Sequence, residues 1–106
     1  RPATRELLLI RSFFDHGTED IYNRVRSKAA RRQCPEQIWA VARRKLDQLN
    51  GVVSLESIRI PPGNQLEALR GDRKGPYSIR INDQYRVCFV WASGGPTDVE
   101  IVDYHR

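Results

Sequence analysis

Around Asn82-Asp83-Gln84 the chain alternates on both sides, with Tyr77, Ile79 and Ile81 before it and Tyr85, Val87, Phe89 and Trp91 after it. No other feature restricts the fold as much. Apolar residues at a period of two mark strands with one buried face. A three-residue connection pairs Ile81 with Tyr85 and Ile79 with Val87, which puts both apolar sets on the same side. The same register sets Arg80 opposite Arg86 on the other side. Like charges facing each other across a ladder cost a few tenths to ~1 kcal/mol. A water-exposed face tolerates such a pair, and an anionic ligand would favour it.

The hairpin extends into a meander. Gly71-Asp72-Arg73-Lys74-Gly75-Pro76 is a turn-rich link from a strand at 66–70, and Ser93-Gly94-Gly95-Pro96 leads into a last strand at 99–103. Upstream, residues 35–50 carry the helical stripe Ile38, Ala42, Leu46 and Leu49, with Pro35 at the first helical position and Gly51 just past the end. Residues 18–22 read as a short helix capped by Thr18. Residues 54–58 read as one more turn, and Pro61-Pro62-Gly63 as the breaker that ends helical structure. A short apolar alternation at 10–14 is a candidate first strand. The expected class is α+β: a small antiparallel sheet of four to five strands with the N-terminal helices packed on one side.

At 106 residues and 40% hydrophobic, the chain suits one domain, 1–106, with one modest core. No run approaches the ~20 apolar residues of a membrane span. Leu7-Leu8-Leu9-Ile10 is stopped by Arg11, too early for a secretory signal core. Residues 1–9 read as a loosely attached N-terminal extension, and the missing initiator methionine as a processed or trimmed start. Lys plus Arg number 18 against 13 acids, a formal charge of +5 that suits a polyanionic partner. Residues 24–32 hold five bases in nine and no acid: Arg24, Arg26, Lys28, Arg31 and Arg32. That run is either a solvated face or a contact for phosphates or an acidic protein. Cys34 and Cys88 read as reduced thiols, which suits a cytoplasmic protein. Together with His16 and His105 they lack the close spacing of zinc ligands, so neither a metal nor a cofactor is expected.

The last strand delivers Asp103, Tyr104 and His105 together. Histidine gives and takes protons near neutrality, a carboxylate can orient it, and an aromatic ring can stack on a base. The plain alternative is a polar strand end without function. In the meander, Arg70, Arg73, Arg80 and Arg86 fall on neighbouring strands or their link. Cleaving RNA needs a proton taken from the ribose 2′-oxygen, a proton given to the leaving 5′-oxygen, and positive charge around phosphorus. Guanidinium groups supply that charge without a metal. Each element also has a structural reading: Arg73 as a turn residue beside Asp72, Tyr77 and Tyr85 as core-facing, Asp83 as turn chemistry. From the residues alone the chain is a basic α+β domain that binds nucleic acid, with metal-free RNA cleavage within its reach.

The block Pro61-Pro62-Gly63-Asn64-Gln65-Leu66-Glu67-Ala68-Leu69-Arg70-Gly71-Asp72-Arg73 resembles one family closely. So do the segments at 77–89 and 99–105, the opening Ile10-Arg11-Ser12-Phe13 and the stretch Ser27-Lys28-Ala29-Ala30-Arg31. Together they resemble the HigB-type toxins of the RelE/ParE superfamily, from about Ile10 to His105. The resemblance implies a RelE-like microbial ribonuclease fold and a ribosome-dependent mRNA endonuclease that cuts the codon in the 30S A site. It implies a HigA-type helix-turn-helix antitoxin as partner, operator DNA reached only through that antitoxin, no membrane, and a free toxin that is a monomer. Position by position it implies His105, Arg86, Asp103, Tyr104 and Arg70 as catalytic; Arg73, Arg80, Asn82 and Lys74 are expected beside them as RNA- or phosphate-binding. The basic run Arg24, Arg26, Lys28, Arg31 and Arg32 is then the candidate ribosome or antitoxin contact. One departure stands out: some members place a further arginine where this chain has Asn82. The competing class is a ParE-like gyrase poison without a nuclease site; a plain RNA-binding module would need aromatics exposed on the sheet.

Overall fold

The computed structural model describes residues 7–69 and 76–104. Its sheet is an antiparallel meander in the order β1 (Glu67–Ala68), β2 (Pro76–Arg80), β3 (Tyr85–Ala92) and β4 (Gly95–Asp103). The β2–β3 register is the one the alternation dictates, with Ile79 opposite Val87 and Arg80 opposite Arg86. The turn between them is closed by Asn82, whose Oδ1 accepts from Gln84 N at 2.8 Å and Tyr85 N at 2.7 Å. An asparagine side chain doing the work of a backbone carbonyl is a recurrent turn device. Ile79, Ile81, Val87, Phe89, Val99 and Ile101 are buried on one face of the sheet. Tyr77 and Tyr85 pack against that core, and Tyr77 stacks on Phe89 at 6.1 Å.

Three helices cover this face: α1 (His16–Tyr22), α2 (Lys28–Gln33) and α3 (Trp39–Leu49). On α3 the buried residues are Trp39, Ala42, Leu46 and Leu49, spaced to keep one stripe against the sheet. Each buried aliphatic of this kind stabilises the fold by about 1.5–3 kcal/mol relative to exposure. Pro35 does not open the helix directly. It leads into a 3₁₀ turn at Glu36–Ile38, and the α-helix starts only at Trp39, whose indole N–H donates to the Cys34 carbonyl at 3.0 Å. After Asn50, Gly51 ends the helix at φ 114°.

Two expectations for the N-terminal third are corrected. The cap of α1 is Asp15, which accepts from Thr18 N at 2.9 Å. Thr18 lies inside the helix, fully buried, and its hydroxyl accepts from Ile101 N at 3.0 Å. Residues 10–14 form no strand. Phe13 makes a single parallel bridge to Val99, with Arg11 N on the Pro96 carbonyl and Phe14 N on the Val99 carbonyl. The chain turns into the Asp15 cap straight after Phe14, so the pairing has no room to grow. Leu8 exchanges backbone hydrogen bonds with Val52.

These contacts finish the sheet edge. Along β4 the outward backbone groups of Pro96, Val99 and Ile101 are met by 11–14, by Thr18 and by Gln33, whose amide donates to the Ile101 carbonyl at 2.7 Å. An edge satisfied in this way offers no template for further strand pairing. Among the described residues no helix covers the opposite face of the sheet, and it is where the charged residues converge.

Candidate functional site

Strand parity puts Ser78 and Arg80 of β2, Arg86 and Cys88 of β3, and Val102 of β4 on the open face. At the hairpin end, Gln65, Arg80, Asn82, Asp83, Arg86 and Tyr104 line a cavity of about 200 Å³. That is room for a phosphate group. The chain after β4 is tied to the hairpin tip by Tyr104 N, which donates to the Gln84 carbonyl at 2.6 Å.

Arg86 forms the floor, only 5% exposed. Its Nε donates to Ser78 Oγ at 2.7 Å, and its Nη2 donates to the Ser78 carbonyl at 3.3 Å and to the Gln65 carbonyl. The Tyr104 ring centre stands 5.8 Å from the guanidinium carbon, within cation–π range. Among the described residues the carboxylate within ion-pair range is that of Glu67, at 3.9 Å from Nη2 and beyond hydrogen-bond reach. A charge taken out of water is costly unless it is hydrogen-bonded. Its hydrogen-bond acceptors are a neutral hydroxyl and two carbonyls, which orient the guanidinium, and Glu67 adds a long ion pair to Nη2.

Arg80 is more open and makes an ion pair with Asp83, Nη2 to Oδ1 at 2.6 Å. The Asp83 side chain is almost wholly exposed, so this pair is worth little. It offsets part of the repulsion between the two neighbouring arginines. Asn82 lines the cavity but spends its Oδ1 on the turn.

The terminal trio is divided. Asp103 pairs with Tyr85, so its side chain shares the helix-covered face, where Oδ2 accepts from Gln84 Nε2 at 3.1 Å. Arg86 and Tyr104 meet on the other side of the sheet. His105, Arg70, Arg73 and Lys74 lie outside the described residues. The basic run belongs to the helical layer and not to the cavity. Ser27 caps α2 through Ala30 N, and Arg26 and Arg31 both bind Glu36, at 2.9 and 3.2 Å. Arg24 sits past the end of α1 at φ 62°.

Beyond the cavity the open face turns apolar. Phe14, Leu69, Pro76, Cys88, Val90 and Val102, with Asp98 and Glu100, border a second hollow of about 290 Å³ that shares Tyr104 with the first. Burial pushes the Cys88 thiol up to about 11, with the Glu100 charge adding to the rise. Burial does the same for Cys34, also to about 11. Neither is a thiolate near neutrality, so neither supplies a nucleophile.

Residues 11–105 match the protein family described as the RelE-like toxin of type II toxin–antitoxin system HigB. The chain belongs to the HigB-like toxin family. Its four-stranded antiparallel sheet with helices on one face is the RelE-like α+β architecture. Toxin HigB-1 of Vibrio cholerae serotype O1 is 44% identical over 63 residues, 59% of this chain and 66% of that protein. An uncharacterized protein of Haemophilus influenzae is 37% identical over 57 residues, 54% of this chain and 56% of that one. The matched stretches thus span just under two thirds and a little over half of these relatives.

In this HigB-like chain two site residues escape a reading by residue type. Ser78 shares the polar parity of Arg80 and could have been found as a serine in mid-strand opposite Cys88. Gln65 acts through its carbonyl, from a left-handed conformation (φ 45°, ψ 61°) that its side chain does not announce. Among the described residues, no helix is long and apolar enough to cross a membrane.

Proposed function

We propose that this HigB-like toxin is a metal-free, ribosome-dependent mRNA endonuclease of the cytoplasm, with residues 1–106 forming one domain. The observation that carries the reading is Arg86, a nearly buried guanidinium hydrogen-bonded to neutral acceptors, with Glu67 only in a long ion pair, on the floor of a cavity with room for phosphate. In this reading Arg86 grips the scissile phosphate and Arg80 adds charge once phosphate displaces Asp83. Tyr104 stacks on a base of the codon. The ribose 2′-oxygen attacks phosphorus, the bond to the 5′-oxygen breaks, and the products end in a cyclic 2′,3′-phosphate and a 5′-hydroxyl. His105 moves the proton, while Arg70, Arg73 and Lys74 hold the neighbouring backbone. Asp103 acts from the far face by fixing the strand end through Gln84. A HigA-type antitoxin neutralises the toxin, and the basic run at 24–32 contacts that antitoxin or the ribosome.

The test is to induce the chain in cells and map mRNA 5′ ends with translation running and with translation blocked. The proposal expects new ends inside coding sequence only while ribosomes translate. Growth arrest with no new ends, or cleavage indifferent to translation, contradicts it.

A further inference from the structure

The Pro61-Pro62-Gly63-Asn64-Gln65 block reaches the site only through Gln65, yet the whole of it is built with care. Asn64 is fully buried and every polar atom of its side chain is matched. Its Oδ1 accepts from Lys45 Nζ at 2.6 Å, and its Nδ2 donates to Gln48 Oε1 at 2.8 Å and to the Ile58 carbonyl at 2.9 Å. The backbone closes in the same place, with Asn64 N on the Pro61 carbonyl and Gln65 N on the Pro62 carbonyl. The turn is thereby fastened to α3. Next to it Gln65 is left-handed, a conformation that disfavours a side chain and persists where the surroundings fix it. In that conformation its carbonyl receives Nη2 of Arg86.

We propose that Ser78 and Asn64 are positioning residues for Arg86, Ser78 directly and Asn64 by locking the Gln65 carbonyl. The inference rests on the reading of Arg86 as the phosphate-binding group. Two edges of the guanidinium, Nε and Nη2, are bound to Ser78 and Gln65. This holds its plane fixed before any phosphate arrives. Fixed donors in a partly water-excluded site act more strongly than mobile ones, because nothing has to reorganise during reaction. Neutral acceptors achieve this, and the Glu67 carboxylate, at 3.9 Å, takes none of these hydrogen bonds.

The experiment uses the full chain with programmed ribosomes and compares Ser78→Ala, Ser78→Thr and Asn64→Asp with wild type. Three quantities are read: kcat for message cleavage, ribosome affinity, and the Arg86 Nε–H resonance with its protection from exchange. Ser78→Ala should lower kcat about 10- to 100-fold with ribosome affinity unchanged. It should also remove the protection of Nε–H, and Ser78→Thr, which keeps the hydroxyl, should restore both. Asn64→Asp should reproduce the kcat loss through the Gln65 carbonyl, in a domain that Ser78→Ala leaves untouched elsewhere. A folded Ser78→Ala that cleaves at the wild-type rate, or a wild-type Arg86 Nε–H that exchanges freely, overturns the inference. A wild-type chain whose Nε–H is protected but which cleaves nothing on ribosomes overturns the functional reading instead.

Discussion

Arg80 and Arg86 are neighbours across one ladder, yet the structure treats them differently. One is open and paired with the exposed Asp83; the other is sealed against Ser78, Gln65 and Tyr104. That contrast decides which is the harder to replace. Arg86→Lys keeps the charge and loses the planar fork, so message cleavage should fall by about 100-fold or more while ribosome binding holds. An equal loss in both assays would make Arg86 a docking residue. Both arginines and Tyr104 were legible from parity and chain order. Asp103 shows where adjacency misleads: it is one residue from Tyr104, and the same period-two rule that found Arg86 sends it to the opposite face. Glu100 gives a residue-scale test of the electrostatics. Burial, and then the Asp15 charge, raises its carboxyl above the ordinary 4.5. A raised carboxyl pKa in the folded state adds stability at low pH, and that contribution is lost as pH rises through the folded value. Glu100→Gln should therefore raise Tm at pH 7, and the gain should fade as the pH drops toward 4.5. A gain that is constant with pH would contradict the assignment.

At the scale of elements, the hairpin was the most legible part because side-chain parity and turn length fix its register together. The helix caps were less so. Asp15 and Thr18 both suit the start of α1. Only the tertiary structure shows that Thr18 is taken by the edge of β4, which leaves the cap to Asp15. The strand expected at 10–14 failed for a related reason, since α1 begins too soon for a ladder to extend. The α1–α2 packing makes a definite demand. A β-carbon on Gly17 would run into Gln33 Oε1, which can swing aside, and stand 2.7 Å from the Ala29 carbonyl oxygen, which is backbone and cannot. Gly17→Ala should cost about 1–3 kcal/mol, seen as a lower midpoint in denaturant. An unchanged midpoint would mean that the two helices are free to move apart.

Across the whole molecule, the sheet separates two tasks. Its covered face holds the core and the three helices; its open face grades from a basic cavity at the hairpin to an apolar hollow beyond. The basic run of Arg24, Arg26, Lys28, Arg31 and Arg32 stands in the helical layer, so it is placed for a contact separate from the cavity. Reversing Arg24, Lys28 and Arg32 to glutamate should weaken ribosome or antitoxin binding at low salt and leave the fold intact; no change in either interaction would return the run to a solvated face. The central claim is that the cavity around Arg86 cleaves message on the ribosome. Purified wild type and Arg86→Ala, each mixed with ribosomes holding a defined codon in the A site, test it most directly. The account predicts a single cut in that codon by wild type, ending in a 5′-hydroxyl, with Arg86→Ala bound but inactive. Equal cutting by both proteins, or none by a ribosome-bound wild type, would contradict it.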